Sequence, residues 1–224
     1  MKRLFFILIS SMLVLQLTSC DKDRELTEED DSTPNTSTNE EDLNEDFETA
    51  SKDTTFTNAV TIVFSKGDAS VVNPFSEKGV TVTSSAGRVI VNSTTSTVIT
   101  YVLSGSTTDG SFKIYSNAQF GIALNGADII SSDGPAINSQ SKEHASILLV
   151  GGSKNRLIDN NIYSSSSEDQ KGTIFSEGGI IFSGSGSLTL KGYYKHAICS
   201  DDFVEITGGD ITVKSAYKDG IHTK

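Results

Sequence analysis

Lys171-Gly-Thr-Ile-Phe-Ser176 recurs twice in the last part of this 224-residue chain. It returns as Lys195-His-Ala-Ile-Cys-Ser200 and again as Lys218-Asp-Gly-Ile-His-Thr223, at steps of 24 and 23 residues. The step shortens by one residue after Gly184, and the loss of one residue at the Gly-Ser turn explains the change. The same spacing relates four pairs of apolar residues: Ile180 with Val204, Phe182 with Ile206, Leu188 with Ile211, and Leu190 with Val213.

A repeat of this length, built from short alternating runs, indicates a coil of β-strands. Runs such as Ser187-Leu-Thr-Leu190 alternate apolar and polar residues, and Gly, Ser and Asp separate them, as expected for strands joined by tight corners. The Leu/Asn ladder of leucine-rich repeats and the 3.6-residue period of helical repeats are both absent. Roughly 23 residues at ~3.3 Å each make one circuit with three short sides. We therefore predict an all-β fold, a right-handed parallel β-helix.

The first 19 residues predict a secretory signal peptide. Lys2-Arg3 precedes a short apolar run that ends near Leu17. Leu17-Thr-Ser-Cys20 resembles the lipobox of bacterial lipoproteins, in which the cysteine is acylated. We expect Cys20 to carry a lipid that anchors the chain to the membrane without spanning it. The alternative is an ordinary signal peptide with a chance cysteine.

The composition of residues 20–55 predicts that Cys20 is followed by a disordered acidic linker. Positions 21–53 hold fourteen acidic and three basic residues, which accounts for the whole net charge of −11. The remainder is nearly neutral, so the acidity says nothing about a partner, and no basic patch indicates nucleic-acid binding. Acidic residues just after Cys20 resemble the export signals of bacterial surface lipoproteins. We expect an outer-membrane or cell-surface location.

Residues 56–224 predict one domain of about six or seven circuits. The Asp133–Ser139 stretch echoes the later repeats, with Ile137 in the place of Ile174. The gap between these isoleucines exceeds one circuit, and we assign the excess to an exposed loop over Ser164–Lys171. The chain stops just as another circuit begins. We expect either a shortened gene product that lacks C-terminal circuits or a partner chain that covers the last one.

Several of these stretches carry a resemblance to a known family. The stretches are Phe120–Gly126, Asp133–Asn138, Gly184–Leu190, Tyr194–Asp202, Ile206–Val213 and Lys218–His222. They resemble the bacterial β-helical carbohydrate-binding domain family over roughly residues 95–224. The resemblance implies a pectate-lyase-like β-helix, calcium binding, and affinity for plant polysaccharides such as cellulose and polygalacturonate, without established catalysis.

A candidate cation site lies at one corner of the predicted coil. Glu177 and Asp201 are 24 residues apart, so successive circuits would stack them about 4.8 Å apart, and Asp202 adds a third carboxylate. Carboxylate oxygens suit calcium. A solvated acidic corner that binds nothing is the alternative. Asp219 is a corner residue that would join a calcium site in a longer protein.

Tyrosines and lysines form the candidate sugar-binding residues. Tyr194 and Tyr217 are 23 residues apart with Tyr193 beside them, so they would form an aromatic platform for sugar rings. An aromatic ladder that only covers the coil is the alternative. Lys195 and Lys218, in one column with Lys171, would bind uronate carboxylates.

The sequence gives little support for catalysis or for other metals. Asp201-Asp202 resembles the paired aspartates of polygalacturonases, but the Asn-Thr-Asp, Gly-His-Gly and Arg-Ile-Lys motifs of those enzymes are absent. A polysaccharide lyase and an adhesin or structural spacer remain the alternative functions. We expect His196 and His222 to be outward or corner residues, and no His/Cys/Asp spacing resembles a transition-metal site. Cys199 is expected to be a strand residue.

Overall fold

The computed structural model describes residues 55–224. The predicted signal peptide, Cys20 and all but the last residue of the predicted linker lie outside the described residues. Within 55–224 no helix is long and apolar enough to cross a bilayer. The described chain consists of β-strands, turns and a single 3-10 helix, Ser76–Lys78, which confirms the predicted all-β class.

Two mainly parallel sheets, of ten and seven strands, contain all the strands of residues 55–224. In the seven-stranded sheet, neighbouring strands follow the order β17-β14-β11-β8-β6-β4-β3. Its strands are β3 (Val80–Ser85), β4 (Arg88–Ser93), β6 (Ser111–Ser116), β8 (Ile137–Ser139), β11 (Gly172–Ser176), β14 (His196–Ser200) and β17 (Ile221–Thr223). All its pairs are parallel except that between β3 and β4.

The ten-stranded sheet has two halves that meet at one long strand, β7 (Phe120–Ile130). Residues 120–124 pair with β9, and residues 128–130 pair with β10. The first half contains β1 (Ala59–Ser65), β5 (Thr100–Thr107), β9 (Ala145–Leu149), β12 (Ile180–Gly184) and β15 (Val204–Ile206). The second half contains β10 (Lys154–Ile158), β13 (Ser187–Gly192) and β16 (Asp210–Ala216), and β2 (Asp68–Val72) pairs with β1.

From β5 onward, each circuit of the chain passes through the two halves of the ten-stranded sheet and then through the seven-stranded sheet. Five successive circuits result, and each strand pairs in parallel with the strand one circuit later. Ile137, Ile174, Ile198 and Ile221 pair in series, as the repeat predicts. The pairs Ile180–Val204, Phe182–Ile206, Leu188–Ile211 and Leu190–Val213 are confirmed as well.

The core is a column of apolar side chains enclosed by the circuits. Ile174, Ile198, Phe182 and Leu190 are all at most 1% exposed. Alternation along each strand places every second side chain in this column, which is why the sequence alternates. In the last circuit, Ile206 is 48% exposed and Ile221 is 45% exposed, because circuits pack on only one side of these residues.

The beginning of the domain differs from the prediction. The β1–β2 and β3–β4 pairs are antiparallel hairpins, so residues 59–93 add no further regular circuits to the five. Ala86 and Gly87 both have positive φ, 50° and 74°, and they form a two-residue turn between β3 and β4. Such a turn reverses the chain at once, which a continuing coil does not do. Val71 and Phe75 pack on the core at this end.

Candidate functional site

A loop covers the outer side of the seven-stranded sheet. Asn138, Phe175 and Cys199 pair in series and are at most 2% exposed, yet they alternate with the core residues Ile174 and Ile198. They therefore point away from the core, and another part of the chain must bury them. The segment 159–171 between β10 and β11, here called the covering loop, lies over part of this face: its Lys171 reaches over the Phe175 ring, and Gln140 donates both to Asn138 and to the Asp169 carbonyl. The covering loop includes the predicted Ser164–Lys171 insertion.

Ion pairs and hydrogen bonds hold the covering loop on the sheet. Glu168 accepts hydrogen bonds from Lys113 Nζ at 2.7 Å and from the Tyr115 hydroxyl. Burial alone would raise the pKa of Glu168, but these two hydrogen bonds and the Lys113 charge outweigh burial and lower it. Gln140 Nε2 donates to the Asp169 carbonyl at 2.9 Å. The loop is thus exposed at residues 164–167, as predicted, but bound to the sheet on either side.

Asp159 anchors the start of the covering loop beside the predicted tyrosines. It is 2% exposed, accepts a 2.6 Å hydrogen bond from the Tyr163 hydroxyl, and accepts another from the Tyr193 amide. Burial raises the pKa of the Asp159 carboxyl, and the hydrogen bonds to this carboxyl offset only part of the effect. Burial together with the neighbouring Asp159 charge raises the pKa of Tyr163.

The three predicted tyrosines have different surroundings in the structure. Tyr194 stacks on Tyr163 at 4.0 Å between ring centroids, and Lys195 Nζ lies 5.0 Å from the centroid of the Tyr194 ring. Tyr193 is 45% exposed and Tyr217 is 74% exposed. Tyr194 therefore packs in the loop base, while Tyr193 and Tyr217 present area to solvent.

An open cavity of about 250 Å³ adjoins the stacked tyrosines. Residues 163–166 and 168–171 of the covering loop line it together with Tyr194 and Lys195. Its walls are mainly polar, with serine hydroxyls, carboxylates and ammonium groups beside the aromatic rings. Such a mixture offers hydrogen bonds and charge to a hydroxyl-rich ligand.

The predicted lysine column exists, and its members differ in their partners. His196 N donates to the Lys171 carbonyl, and Lys218 N donates to the Lys195 carbonyl, so the three lysines lie on successive circuits. Lys171 forms ion pairs with Asp169 and Asp201. Burial alone would lower the pKa of the Lys171 ammonium, but hydrogen bonds to both carboxylates outweigh burial and raise it. Within residues 55–224, no carboxylate lies within ion-pair distance of Lys195 or Lys218.

At the acidic corner of Glu177, Asp201 and Asp202, lysine ammonium groups lie where the sequence predicts a calcium ion. The amides of Glu177 and Asp201 bond to successive strands, so the stacking predicted from their spacing is correct. However, the Asp201 carboxylate already binds Lys171 Nζ at 2.9 and 3.0 Å and Lys224 Nζ at 2.8 Å. Two ammonium groups occupy its oxygens and repel a cation. The acidic corner also contains no converging set of three ligand groups.

A different set of potential ligands converges around Asp219. Asp219 Oδ2 lies 3.1 Å from His196 Nδ1 and 3.3 Å from His222 Nδ1. The two imidazole rings are stacked, with centroids 4.3 Å apart. Asp219 thus groups with two histidines and not with the acidic corner. The spacing in the sequence did not reveal this group, because it did not show that Asp219 and His222 of the last circuit lie against His196 of the preceding circuit.

Reasoning from the sequence missed Tyr163, Asp159 and Glu168. All three belong to the covering loop, which lies outside the repeat, so the 23–24-residue spacing could not align them with anything. The one available signal was an aromatic residue within a Ser- and Asn-rich insertion. Spacing alone did not connect Tyr163 to Tyr194, the residue it stacks on.

Residues 80–224 match the family described as "Carbohydrate-binding domain-containing protein". The chain belongs to this carbohydrate-binding domain family. The match begins at β3 and includes all five circuits, the covering loop and the lysine column. The predicted membership of a carbohydrate-binding domain family is therefore confirmed.

Two known proteins are similar to parts of this chain. A protein of the same description from Acetivibrio thermocellus is 31% identical over 120 residues, 51% of this chain and 42% of that protein. A solved gadolinium derivative of a polysaccharide lyase-like protein from C. thermocellum superposes with a TM-score of 0.60 and 26% identity. That alignment covers 69% of this chain and 61% of the solved chain. This chain therefore spans less than two thirds of the length of either relative.

Proposed function

We propose that this carbohydrate-binding domain protein is a lipid-anchored surface protein that binds an acidic plant-type polysaccharide, such as polygalacturonate. In this proposal residues 1–19 are the signal peptide, Cys20 carries the lipid, and residues 20–55 are the linker. Residues 56–224 form the binding domain at the outer membrane or cell surface. Its coil is a right-handed parallel β-helix, because connections between parallel strands of one sheet are right-handed in almost all proteins.

The observation that carries the proposal is a pair of lysines on adjacent circuits, Lys195 and Lys218, that form no ion pair with a carboxylate of residues 55–224. Lys195 and Lys218 are joined through a 2.7 Å backbone hydrogen bond between the two circuits. Like charges on adjacent strands destabilise each other, and a bound anion relieves the repulsion. The carboxylates of a uronic acid polymer supply such anions at regular intervals, whereas cellulose supplies none. The lysine pair therefore favours polygalacturonate over cellulose.

Aromatic and hydroxyl groups beside these lysines support a sugar ligand. Tyr217, at 74% exposure, leads directly into Lys218, and its ring can pack on the apolar C–H face of a sugar. Tyr193 is exposed on the preceding circuit, two residues before Lys195. The cavity beside Tyr194 adds serine hydroxyls as hydrogen-bond partners.

Binding without bond cleavage is the proposed activity. A lyase needs a base next to the sugar C5 proton, and both arginines of the described chain are already paired with aspartates. Arg88 pairs with Asp109, and Arg156 pairs with Asp128 in a bidentate geometry. Calcium dependence stays a prediction without an assigned site, because lysine ammonium groups bind the Asp201 carboxylate at the acidic corner. The assay therefore includes both cleavage and calcium as readouts.

The test is a calorimetric titration of the full chain with polygalacturonate oligomers, with calcium and again with chelator. We expect 1:1 binding without new unsaturated ends. The double variant Lys195→Ala/Lys218→Ala should lose affinity by roughly 5- to 30-fold, since each exposed charge contact contributes up to about 1 kcal/mol. Lys66→Ala is the control, because Lys66 lies in the exposed turn between β1 and β2.

Each other outcome of this titration points to a different function. Unsaturated products would establish a lyase. Equal affinity of the wild type and the double variant would remove the lysine pair from the binding site. If a folded sample binds neither polygalacturonate nor cellulose oligomers, an adhesin or spacer would be favoured.

A further inference from the structure

We propose that His196, Asp219 and His222 form a site for a divalent transition-metal ion of the zinc type. This inference is independent of the polysaccharide proposal, and its test contains no sugar. The three side chains supply two imidazole nitrogens and one carboxylate oxygen. These are ligands that zinc, nickel and copper take in proteins.

The spacing of the ligand atoms fits one ion. Ligand atoms at the metal distances of about 2.0–2.2 Å in tetrahedral geometry lie roughly 3.3–3.5 Å from each other. Asp219 Oδ2 lies 3.1 Å from His196 Nδ1 and 3.3 Å from His222 Nδ1. One ligand atom from each of the three side chains falls within 4.8 Å of the others. Because the two rings are stacked, with centroids 4.3 Å apart, the 41% exposed His222 ring would rotate out of the stack to direct its nitrogen at an ion shared with His196 and Asp219.

The backbone holds the three residues in this arrangement without the ion. Asp219 is held against the preceding circuit by its carbonyl, which accepts a 3.2 Å hydrogen bond from Ala197 N. Its N–H donates a long, 3.4 Å hydrogen bond to His196 Nδ1, which a metal ion at that nitrogen would replace. His222 lies in β17, paired with Cys199 of β14. His196 is itself 6% exposed, so its ring has little freedom. A prearranged set of ligands avoids most of the ordering cost of binding.

The local chemistry calls for a positive charge between these atoms. His196 Nδ1 accepts the long hydrogen bond from the Asp219 amide and is therefore unprotonated, while it also faces the Asp219 carboxylate. Two acceptor atoms at 3.1 Å need a proton or a cation between them. The stacked rings direct a second nitrogen to the same carboxylate oxygen. A divalent ion satisfies all three atoms at once, whereas one proton satisfies two.

The position of the group leaves coordination sites open. The Asp219 and His222 side chains are 56% and 41% exposed, so an ion held by three protein ligands would keep water in its remaining position. The flanking Lys195 and Lys218 weaken the affinity for a cation by charge repulsion. The same lysines would favour an anionic ligand at the open position.

The test is a titration of the metal-free full chain with zinc chloride, followed by cobalt chloride as a spectroscopic probe. We expect one tight site per chain and visible cobalt bands of a four- or five-coordinate ion with nitrogen ligands. His222→Ala and Asp219→Asn, both at exposed positions, should each weaken zinc binding at least tenfold. His144→Ala is the matched control, because His144 is the remaining histidine and lies outside the cluster.

The variants separate this site from weak binding elsewhere in the chain, including the acidic linker and Cys20. Zinc affinity that is unchanged in both His222→Ala and Asp219→Asn would overturn the proposal. A wild type that binds no zinc would overturn it too, and would leave ordinary histidine–carboxylate ion pairs. Far-ultraviolet circular dichroism of each variant confirms that the fold is retained.

Discussion

Lys171 and Asp201 form an ion pair that crosses from one circuit to the next, with Lys171 Nζ 2.9 Å from Oδ1 and 3.0 Å from Oδ2 of Asp201. The lysine side chain runs over the Phe175 ring, 5.5 Å from its centroid, to reach the carboxylate. The pair therefore fastens the end of the covering loop and shields an outward-facing aromatic residue.

Asp201→Asn should destabilise the fold. The substitution leaves Lys171 and Lys224 without their shared carboxylate, at a position where the Asp201 and Lys171 side chains are 14% and 20% exposed. We expect a loss of about 1–3 kcal/mol in the free energy of unfolding, measured by urea denaturation. Asp202→Asn is the control, since Asp202 is exposed and forms none of the ion pairs found in residues 55–224. Equal losses in both variants would contradict a specific role for the ion pair.

The same pair should make stability depend on pH. Burial alone would raise the pKa of the Asp201 carboxyl, but hydrogen bonds from Lys224 and Lys171 outweigh burial and lower it. The folded state then binds fewer protons than the unfolded chain, so the stabilisation is complete above the unfolded pKa of about 3.9. It is lost as the pH falls through the folded value. The stability difference between wild type and Asp201→Asn should be constant from about pH 7 to 5 and shrink below about pH 4. A difference that grows on acidification would refute this account.

Asn155→Ala should be among the most destabilising single substitutions. Asn155 is 2% exposed, and its Oδ1 accepts the amides of Gly126 and Ala127, both at 2.9 Å. Its Nδ2 donates to the Ser187 carbonyl at 3.0 Å, so one side chain joins three circuits. Truncation leaves buried amides without acceptors, and we expect a loss of about 2–4 kcal/mol by urea denaturation. Asn160→Ala should cost less, about 1 kcal/mol, because the exposed Asn160 amide makes only two hydrogen bonds, to the Ser132 carbonyl and from the Asn161 N–H, and water can replace both.

Two glycines near one corner should respond differently to alanine. Gly184 and Gly152 both have positive φ, 99° and 76°. A Cβ on Gly184 would collide with the Leu149 carbonyl, whereas a Cβ on Gly152 meets nothing within 4 Å. Gly152→Ala should cost only the conformational strain, about 1 kcal/mol. Gly184→Ala should cost clearly more in thermal unfolding, and comparable losses would show that the corner can move.

The sequence repeat predicted the stacking of the circuits because each circuit needs apolar side chains at the same positions. Ile174, Ile198 and Ile221 must occupy equivalent positions in one column, so their spacing in the sequence carries the register. The N-terminal hairpins were not predicted, because alternation looks the same in parallel and antiparallel strands. The two-residue turns at Lys66-Gly67 and Ala86-Gly87 distinguish the two.

The candidate site was less predictable than the fold. Spacing correctly placed Glu177 beside Asp201 and Lys195 beside Lys218 along the backbone. It could not show that Lys171 and Lys224 occupy the Asp201 carboxylate, because long side chains reach beyond their own circuit. Asp219 meets two histidines for a related reason: one is its neighbour across the circuits and the other follows it around a corner.

The unequal lengths of the circuits have a consequence for protein engineering. Ile137 and Ile174 pair directly although 37 residues separate them, just as Ile198 and Ile221 pair across 23. The pairing of these strands is therefore the same for a long and a short connection at this corner. A foreign peptide grafted in place of the exposed residues 164–167 would be displayed on a rigid scaffold, between the Tyr163 and Glu168 anchors. Libraries built at this one position would vary the loop and leave the framework constant, as antibodies do with their own loops.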